Sequence, residues 1–116
     1  MARIIIIEDE ISIRNVLKNI LVDENKNYKI DEASNGEEGL KKIFSENYDL
    51  ALCDIKMPKL DGIELLRKIR EKNDIPVIFL TSKDDELDEA LGLGIGADDY
   101  ITKPFSQRLL LARIKA

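Results

Sequence analysis

The chain has 116 residues, of which 44% are hydrophobic and 35% are charged. This size and balance predict one globular domain with its own core. With 23 acidic against 18 basic residues the net charge is −5, which argues against nucleic-acid binding by this segment. No apolar run approaches the roughly 18 residues of a membrane span, and MARIIII is too short and too soon acidic for a signal peptide. We therefore expect a cytoplasmic protein without membrane contact.

The chain contains one cysteine and no histidine. Cys53 cannot form an internal disulfide, and its place in an apolar run favours the role of a small buried hydrophobe. Histidine is the commonest general base and the commonest nitrogen carrier of a transferable phosphoryl group. Any histidine chemistry must therefore come from a partner.

Strand-like apolar runs alternate with segments of helical periodicity along the whole chain. The predicted strands cover residues 3–7, 28–33, 50–54, 77–80 and 99–101. Apolar residues at helical spacing predict buried helix faces: Ile13, Val16, Leu17, Ile20 and Leu21; then Leu40, Ile43 and Phe44; then Leu65, Leu66 and Ile69; and last Leu109, Leu110 and Ile114, in a helix that also carries Arg113 and is capped by Ser106.

A fourth helix is predicted between the fourth and fifth strands, around residues 85–93. The segment GLGIG interrupts it, and each helical glycine costs up to about 1 kcal/mol relative to alanine. We expect this helix to be the most mobile element.

Strands this apolar must be covered on both faces, which predicts a parallel sheet with right-handed helical crossovers and hence a three-layer α/β sandwich. In such sheets ligands bind beyond the carboxyl ends of the strands, near the point where the strand order reverses. The residues that follow the strands are therefore the candidate site residues: Glu8, Asp9 and Glu10 after the first, Asp54 at the third, Thr81 and Ser82 at the fourth, and Lys103 past the fifth.

If the first and third strands are neighbours, Glu8, Asp9 and Asp54 converge, and their carboxylates repel unless a proton or a cation intervenes. Oxygen ligands without histidine or cysteine favour Mg²⁺. Alternatives remain open at this point: the acids of EDE are also typical of a helix N-terminus, and Asp54 is also typical of a turn. Thr81 and Ser82 could cap a helix.

Lys103 lies in ITKPF, directly before Pro104. Most lysines are solvated surface residues. Only an X-Pro bond has a realistic chance of being cis, about 5 to 6% in folded proteins, and a cis bond here would direct Lys103 inward.

Four segments in this order, IIIIEDE, DIKMPKLDG, LTS and GADDYITKPF, resemble the response-regulator receiver domains of bacterial two-component signalling. The resemblance covers essentially all 116 residues. It implies a (βα)5 doubly wound parallel sheet with the flavodoxin-like strand order 2-1-3-4-5. It also implies a signalling switch and not an enzyme, with self-catalysed phosphoryl transfer and dephosphorylation only.

The resemblance assigns roles to particular residues of this chain. Asp54 accepts a phosphoryl group from a sensor histidine kinase, and Met57, Pro58 and Gly62 shape the loop beneath it. The remaining roles are Mg²⁺ binding by Glu8, Asp9, Asp54 and the backbone carbonyl of Lys56, phosphate contact by Lys103, and switching by Thr81 and Tyr100.

The last stretch, GADDYITKPFSQRLLLARIKA, resembles the OmpR/PhoB class, whose receivers precede a winged-helix DNA-binding domain. We therefore expect residues 1–116 to be the receiver of a longer transcription regulator that contacts DNA only through that other domain. The class dimerises on phosphorylation through the fourth helix, fifth strand and fifth helix. Asp98, Asp99 and Arg113 match its pattern, whereas Glu89 and Leu109 stand where the class commonly has a basic and an acidic residue.

Other functions make different demands on these residues. A haloacid-dehalogenase-like phosphohydrolase needs a second aspartate two residues after the first, where this chain has Lys56. A flavodoxin-like flavin binder needs a hydroxyl- and amide-rich loop after the first strand to hold phosphate, and EDE would repel that phosphate. A receiver with a degenerate phosphorylation site is disfavoured because every chemical group is present. A stand-alone receiver acting by protein–protein interaction remains an alternative.

Overall fold

Five strands and four helices lie in the part of the chain that the computed structural model describes, which is residues 2–55, 57, 60–81, 99–102 and 107–115. The strands are β1 (Arg3–Ile7), β2 (Lys29–Ala33), β3 (Leu50–Asp54), β4 (Val77–Thr81) and β5 (Asp99–Thr102). The helices are α1 (Ile11–Glu24), α2 (Gly36–Ser45), α3 (Gly62–Arg70) and a C-terminal helix (Gln107–Lys115). The predicted helix around residues 85–93 and the cap Ser106 lie outside the described residues.

The strands form one sheet in the order β2-β1-β3-β4-β5, and every neighbouring pair is parallel. The predicted strand order is confirmed. The order reverses at β1 and β3, so the carboxyl ends of these two strands mark the expected ligand position. None of the described helices is long and apolar enough to cross a membrane.

The core has two parts, one on each face of the sheet. Alternate strand residues point to opposite faces, so Ile5 and Phe79 pack with α2 and α3, while Ile6 and Leu80 pack with α1 and the C-terminal helix. Helices therefore cover both faces, as predicted. Because the buried strands pair in a fixed register, the positions of their carboxyl ends are also fixed.

Two residues predicted on buried helix faces are exposed. Val16 is 50% exposed, because α1 packs through Leu17 and Leu21, with Ile13 and Ile20 partly buried beside them. Phe44 is 43% exposed, because α2 packs through Ile43 and Phe44, the next residue along the helix, faces outward. There the ring centroid of Phe44 lies 5.6 Å from Lys72 Nζ. In α3 the predicted face is confirmed, since Leu65, Leu66 and Ile69 are all buried.

Side-chain caps fix the starts of two helices. Asn35 Oδ1 accepts a hydrogen bond from the Glu38 N–H at 2.9 Å at the start of α2. Asp61 Oδ1 accepts one from the Glu64 N–H at 2.9 Å at the start of α3. These caps satisfy backbone donors that the helix leaves without partners. The second cap places α3 directly after the loop that follows Asp54.

Candidate functional site

The sheet register brings Glu8 and Asp54 to the same edge. Ile7 is opposite Cys53 in the β1–β3 pair, so the next residues, Glu8 and Asp54, leave neighbouring strands side by side. The Glu8 N–H donates to the Ala33 carbonyl at 3.1 Å, which extends the pairing of β1 with β2. Backbone pairing therefore fixes the positions of Glu8 and Asp54 next to each other.

Three carboxylates converge at this edge. One oxygen from each of Glu8, Asp9 and Asp54 lies within 4.8 Å of the others. Glu8 is fully buried, Asp54 is 7% exposed, and Asp9 is exposed. Carboxylates this close repel when all are ionised, and burial increases the cost. A cation relieves that repulsion.

The donor set fits Mg²⁺. All three groups offer hard oxygen ligands, which divalent cations such as Mg²⁺ prefer. Mg²⁺ also retains several water ligands, and the exposed Asp9 opens the cluster to solvent on one side. The predicted convergence of the acids is therefore present in the structure, and the cluster is suited to a metal.

The alternative interpretation of EDE as a helix cap fits poorly. Glu10 is the N-cap residue of α1, but its side chain makes no capping hydrogen bond, and the first turn contains no acidic residue. Glu8 Oε2 instead accepts a hydrogen bond from the Glu10 N–H at 3.3 Å. Glu8 and Asp9 contribute to the carboxylate cluster, and Glu10, the N-cap residue, makes no capping hydrogen bond with its side chain.

Gly62, the first residue of α3, lies very close to the backbone of Asp54 and Ile55. A Cβ atom on Gly62 would lie 2.7 Å from the Asp54 carbonyl oxygen and 2.8 Å from Ile55 Cα. The Gly62 N–H donates to the Ile55 carbonyl at 2.7 Å. Only a residue without a side chain allows α3 to start this close to β3. The prediction that Gly62 shapes this loop now has a physical basis, and the loop residue Met57 is also buried in the core.

Arg14, which no sequence pattern singled out, also contacts this site. Its Nη1 donates to the Glu8 carbonyl at 2.7 Å, and its Nε donates to Glu32 Oε1 at 3.1 Å. The available signal was a basic residue one turn into the helix that follows the acidic run. Its link to Glu32 depends on the pairing of β1 with β2 and was not visible in the sequence.

Comparison with known proteins places the chain in a family. The profile of the response regulator receiver domain matches residues 4–115. The chain belongs to this family. It is 48% identical over 114 residues to the transcriptional regulatory protein ResD of Bacillus subtilis (strain 168), covering 98% of this chain and 47% of ResD. It is 44% identical over 116 residues to the response regulator ArlR of Staphylococcus aureus (strain Mu50 / ATCC 700699), covering 100% of this chain and 52% of ArlR.

A solved receiver structure has the same fold. The CheY-like response regulator receiver domain protein from Methanospirillum hungatei JF-1 aligns with a TM-score of 0.90 and 37% identity, covering 99% of this chain and 91% of that one. The chain spans about half the length of the curated relatives it matches. That ResD is named a transcriptional regulatory protein agrees with the resemblance to the OmpR/PhoB class.

Cys53 lies next to Asp54, the predicted phosphoryl acceptor, and its buried thiol is poorly suited to act as a nucleophile. Burial, followed by the charges of Asp54, Glu8 and Asp61, raises the pKa of Cys53 well above its ordinary value. Its Sγ donates to the Asp54 carbonyl at 3.3 Å. The thiolate is the nucleophilic form of cysteine, and a raised pKa disfavours it. Cys53 is 2% exposed in the core, which agrees with the expected role of a small buried hydrophobe.

Several predicted site residues of the receiver lie outside the described residues: Lys56, Pro58, Ser82, Glu89, Asp98 and Lys103. For five others the strand or helix is described and the side chain is not: Thr81, Asp99, Tyr100, Leu109 and Arg113. Thr81 ends β4, and Tyr100 lies in β5 opposite Phe79. Their roles stay predictions.

Proposed function

We propose that this receiver domain is a phosphorylation-activated switch in which Asp54 accepts a phosphoryl group from a sensor histidine kinase. The observation that carries the proposal is the convergence of Glu8, Asp9 and Asp54 within 4.8 Å at the edge where β1 and β3 end. Family membership supports the class of reaction. A chain without histidine also requires that the phosphohistidine be supplied by the partner.

In the transfer, a carboxylate oxygen of Asp54 attacks phosphorus. The new O–P bond forms while the N–P bond to the kinase histidine breaks, and the released imidazole takes up a proton. Glu8, Asp9, Asp54 and the Lys56 carbonyl would hold Mg²⁺, which would supply positive charge to the transferring oxygens. Lys103 contributes a second, fixed cation to the phosphate. Turnover is limited to phosphoryl uptake and loss.

The phosphate then acts on the switch residues. Its added negative charge draws the Thr81 hydroxyl toward it, and Tyr100 turns inward into the space that Thr81 leaves. This movement biases a pre-existing equilibrium between two conformations and does not create a new fold.

Phosphoryl uptake from a small donor tests the proposal directly. Wild-type protein incubated with acetyl phosphate and Mg²⁺ should gain the mass of one phosphoryl group, and Asp54→Asn should gain none because the nucleophile is lost. Asp61→Asn is the matched control: it changes an exposed aspartate in the following loop that can still cap α3 as asparagine. Phosphoryl uptake by Asp54→Asn would contradict the assignment.

We also propose that phosphorylation promotes a two-fold dimer through the fourth helix, fifth strand and fifth helix, with DNA contacted by a further domain of the full-length regulator. Asp98 or Asp99 would pair with Arg113 across the interface, where each contact occurs twice. In this class an ion pair commonly joins the positions that Glu89 and Leu109 occupy here. Apolar contact by Leu109 would replace that ion pair. Sedimentation with and without a phosphate mimic checks this, using Leu109→Glu and Arg113→Ala. A wild type that stays monomeric with the mimic bound contradicts it.

A further inference from the structure

The peptide that joins Glu8 to Asp9 decides the direction in which both carboxylates leave the end of β1. Its carbonyl oxygen accepts a hydrogen bond from Arg14 Nη1 at 2.7 Å. On the other side of Glu8, the N–H donates to the Ala33 carbonyl at 3.1 Å. The backbone of Glu8 is therefore held at both ends, once by the sheet and once by a side chain of α1.

Arg14 is itself held in place. Its Nε donates to Glu32 Oε1 at 3.1 Å, and Lys18 Nζ donates to the other oxygen of Glu32 at 3.3 Å. The backbone carbonyl of Glu32 also accepts a hydrogen bond from Lys42 Nζ. Glu32 thus receives bonds from both α1 and α2 and is a fixed anchor on β2. The Arg14 side chain is 14% exposed, so little solvent competes for its donors.

We infer that Arg14 is a positioning residue for the metal site, which orients the Glu8–Asp9 peptide so that both carboxylates meet Asp54. The inference rests on the proposed function, because it concerns the Mg²⁺ site on which phosphoryl transfer depends. In many metal sites, residues that do not bind the metal themselves orient its ligands through hydrogen bonds. Here the oriented group is a backbone carbonyl, and the effect passes through it to two side chains.

Charge and positioning predict effects of opposite sign. Arg14 is a cation close to a cation site, so removing its charge alone should make Mg²⁺ bind more tightly. If Arg14 orients the peptide, removing it should make Mg²⁺ bind more weakly, because the carboxylates no longer converge. The sign of the change in Mg²⁺ affinity therefore separates the two effects.

The planar fork of arginine suits this task. It presents several N–H donors in one rigid plane, so Arg14 serves the Glu8 carbonyl and the Glu32 carboxylate together. A lysine keeps the charge but has one nitrogen on a flexible stem. Arg14→Lys should therefore lose part of the positioning without any change in charge.

Isothermal titration calorimetry with MgCl₂ is the test, with the metal-free melting temperature measured for every variant. Arg14→Met should raise the Kd for Mg²⁺ about tenfold, and Arg14→Lys should raise it by less. Lys18→Met is the matched control, because Lys18 contacts the same Glu32 carboxylate without the bond that Arg14 makes to Glu8. Its Kd should stay at the wild-type value or fall slightly.

An Arg14→Met variant that binds Mg²⁺ as tightly as wild type, or more tightly, overturns the inference while leaving the proposed function intact. A wild type that binds no Mg²⁺ overturns both. Should Arg14→Met fail to fold, Arg14→Lys decides the matter, since an unchanged Kd there also overturns the inference. Glu32→Ala should weaken binding in wild type and have much less effect in Arg14→Lys; an equal effect in both backgrounds removes Glu32 as the anchor.

Discussion

At the amino-terminal edge of the sheet three carboxylates surround one arginine, whereas at the carboxyl-terminal edge three carboxylates lie within 4.8 Å of one another. At the amino edge Arg3 Nη2 donates to Asp31 Oδ2 at 2.9 Å and to Glu46, and the Arg3 N–H donates to Asp49 Oδ2 at 2.7 Å. Here charges of opposite sign tie β1, β2 and the segment before β3 together.

Tyr48 completes the amino edge. Its hydroxyl donates to Asp31 Oδ2 at 2.7 Å, and its ring centroid lies 4.8 Å from the guanidinium carbon of Arg3. The Tyr48 hydroxyl, and then Arg3, hold the pKa of Asp31 below its ordinary value, against the opposing effect of burial. Burial and the neighbouring Asp31 raise the pKa of Tyr48. These groups favour the folded state with Asp31 ionised.

The carboxyl edge is built in another way. Its position depends on strand register and on the contact of Gly62 with the Asp54 backbone, while its acidic side chains are gathered at a cost in repulsion. Carboxylates therefore stabilise the fold at one edge and form a cluster suited to a cation at the other.

The largest expected effect concerns the backbone contact. Gly62→Ala should lower the free energy of unfolding by about 3 kcal/mol, because the added Cβ meets backbone atoms of Asp54 and Ile55 that cannot turn aside. Urea unfolding measures this. Gly39→Ala is the control: its Cβ would meet only side-chain atoms of Ile7, with Cδ1 at 2.7 Å, Cγ1 at 2.9 Å and Cγ2 at 3.2 Å. Because a side chain can shift and alanine favours the helix by up to about 1 kcal/mol, its loss should be smaller. Equal losses in both variants would contradict the role of the Asp54 contact.

Metal binding should separate the two edges. Mg²⁺ at a hundredfold excess over Kd should add about 2.7 kcal/mol to the stability of the wild type, since it binds only the folded state. Asp31→Asn should keep this gain, and Asp9→Asn should lose most of it. Melting temperatures with EDTA and with MgCl₂ check this. A gain that survives Asp9→Asn would place the metal elsewhere.

The sequence predicted the carboxyl edge better than the amino edge, for a physical reason. Apolar runs fixed the strands to within one residue of their ends, and parallel strands bring their carboxyl ends to one edge, so Glu8, Asp9 and Asp54 could be placed together. The cluster around Arg3 joins positions 31, 46 and 48, which share no local pattern. Its formation depends on side-chain geometry across three elements.

The helices show the same limit. Periodicity identifies the apolar face of a helix but not the width of its contact. In α1 the other predicted residues pack against the core and Val16 alone of the five is exposed, while in α3 the full predicted face is buried. Arg14 was missed for a related reason, since its partner is a backbone carbonyl and any residue could supply one.

The third prediction concerns the amino edge. Asp31→Asn should lower stability by about 1 to 2 kcal/mol at pH 7, because bonds to a charged acceptor are lost. The folded-state pKa of Asp31 is lowered, so its contribution is present above the unfolded pKa of about 4 and is lost as the pH falls through the folded-state value. Chemical unfolding at pH 7 and near pH 3 measures this. A difference from wild type that is the same at both pH values would contradict the assignment.

The smallest expected effect is a gain in stability, opposite in sign to the loss expected for Asp31→Asn. Asp9→Asn in EDTA at low salt should raise the free energy of unfolding by up to about 1 kcal/mol, since it removes one of three mutually repelling charges and Asp9 is exposed and partly screened. Added salt should shrink the gain, because the repulsion is screened over about 10 Å at 0.1 M ionic strength. The same chemical change, aspartate to asparagine, thus stabilises at position 9 and destabilises at position 31. If Asp9→Asn lowers the metal-free stability, the carboxylate of Asp9 contributes to the fold, and the contrast between the two edges fails at that residue.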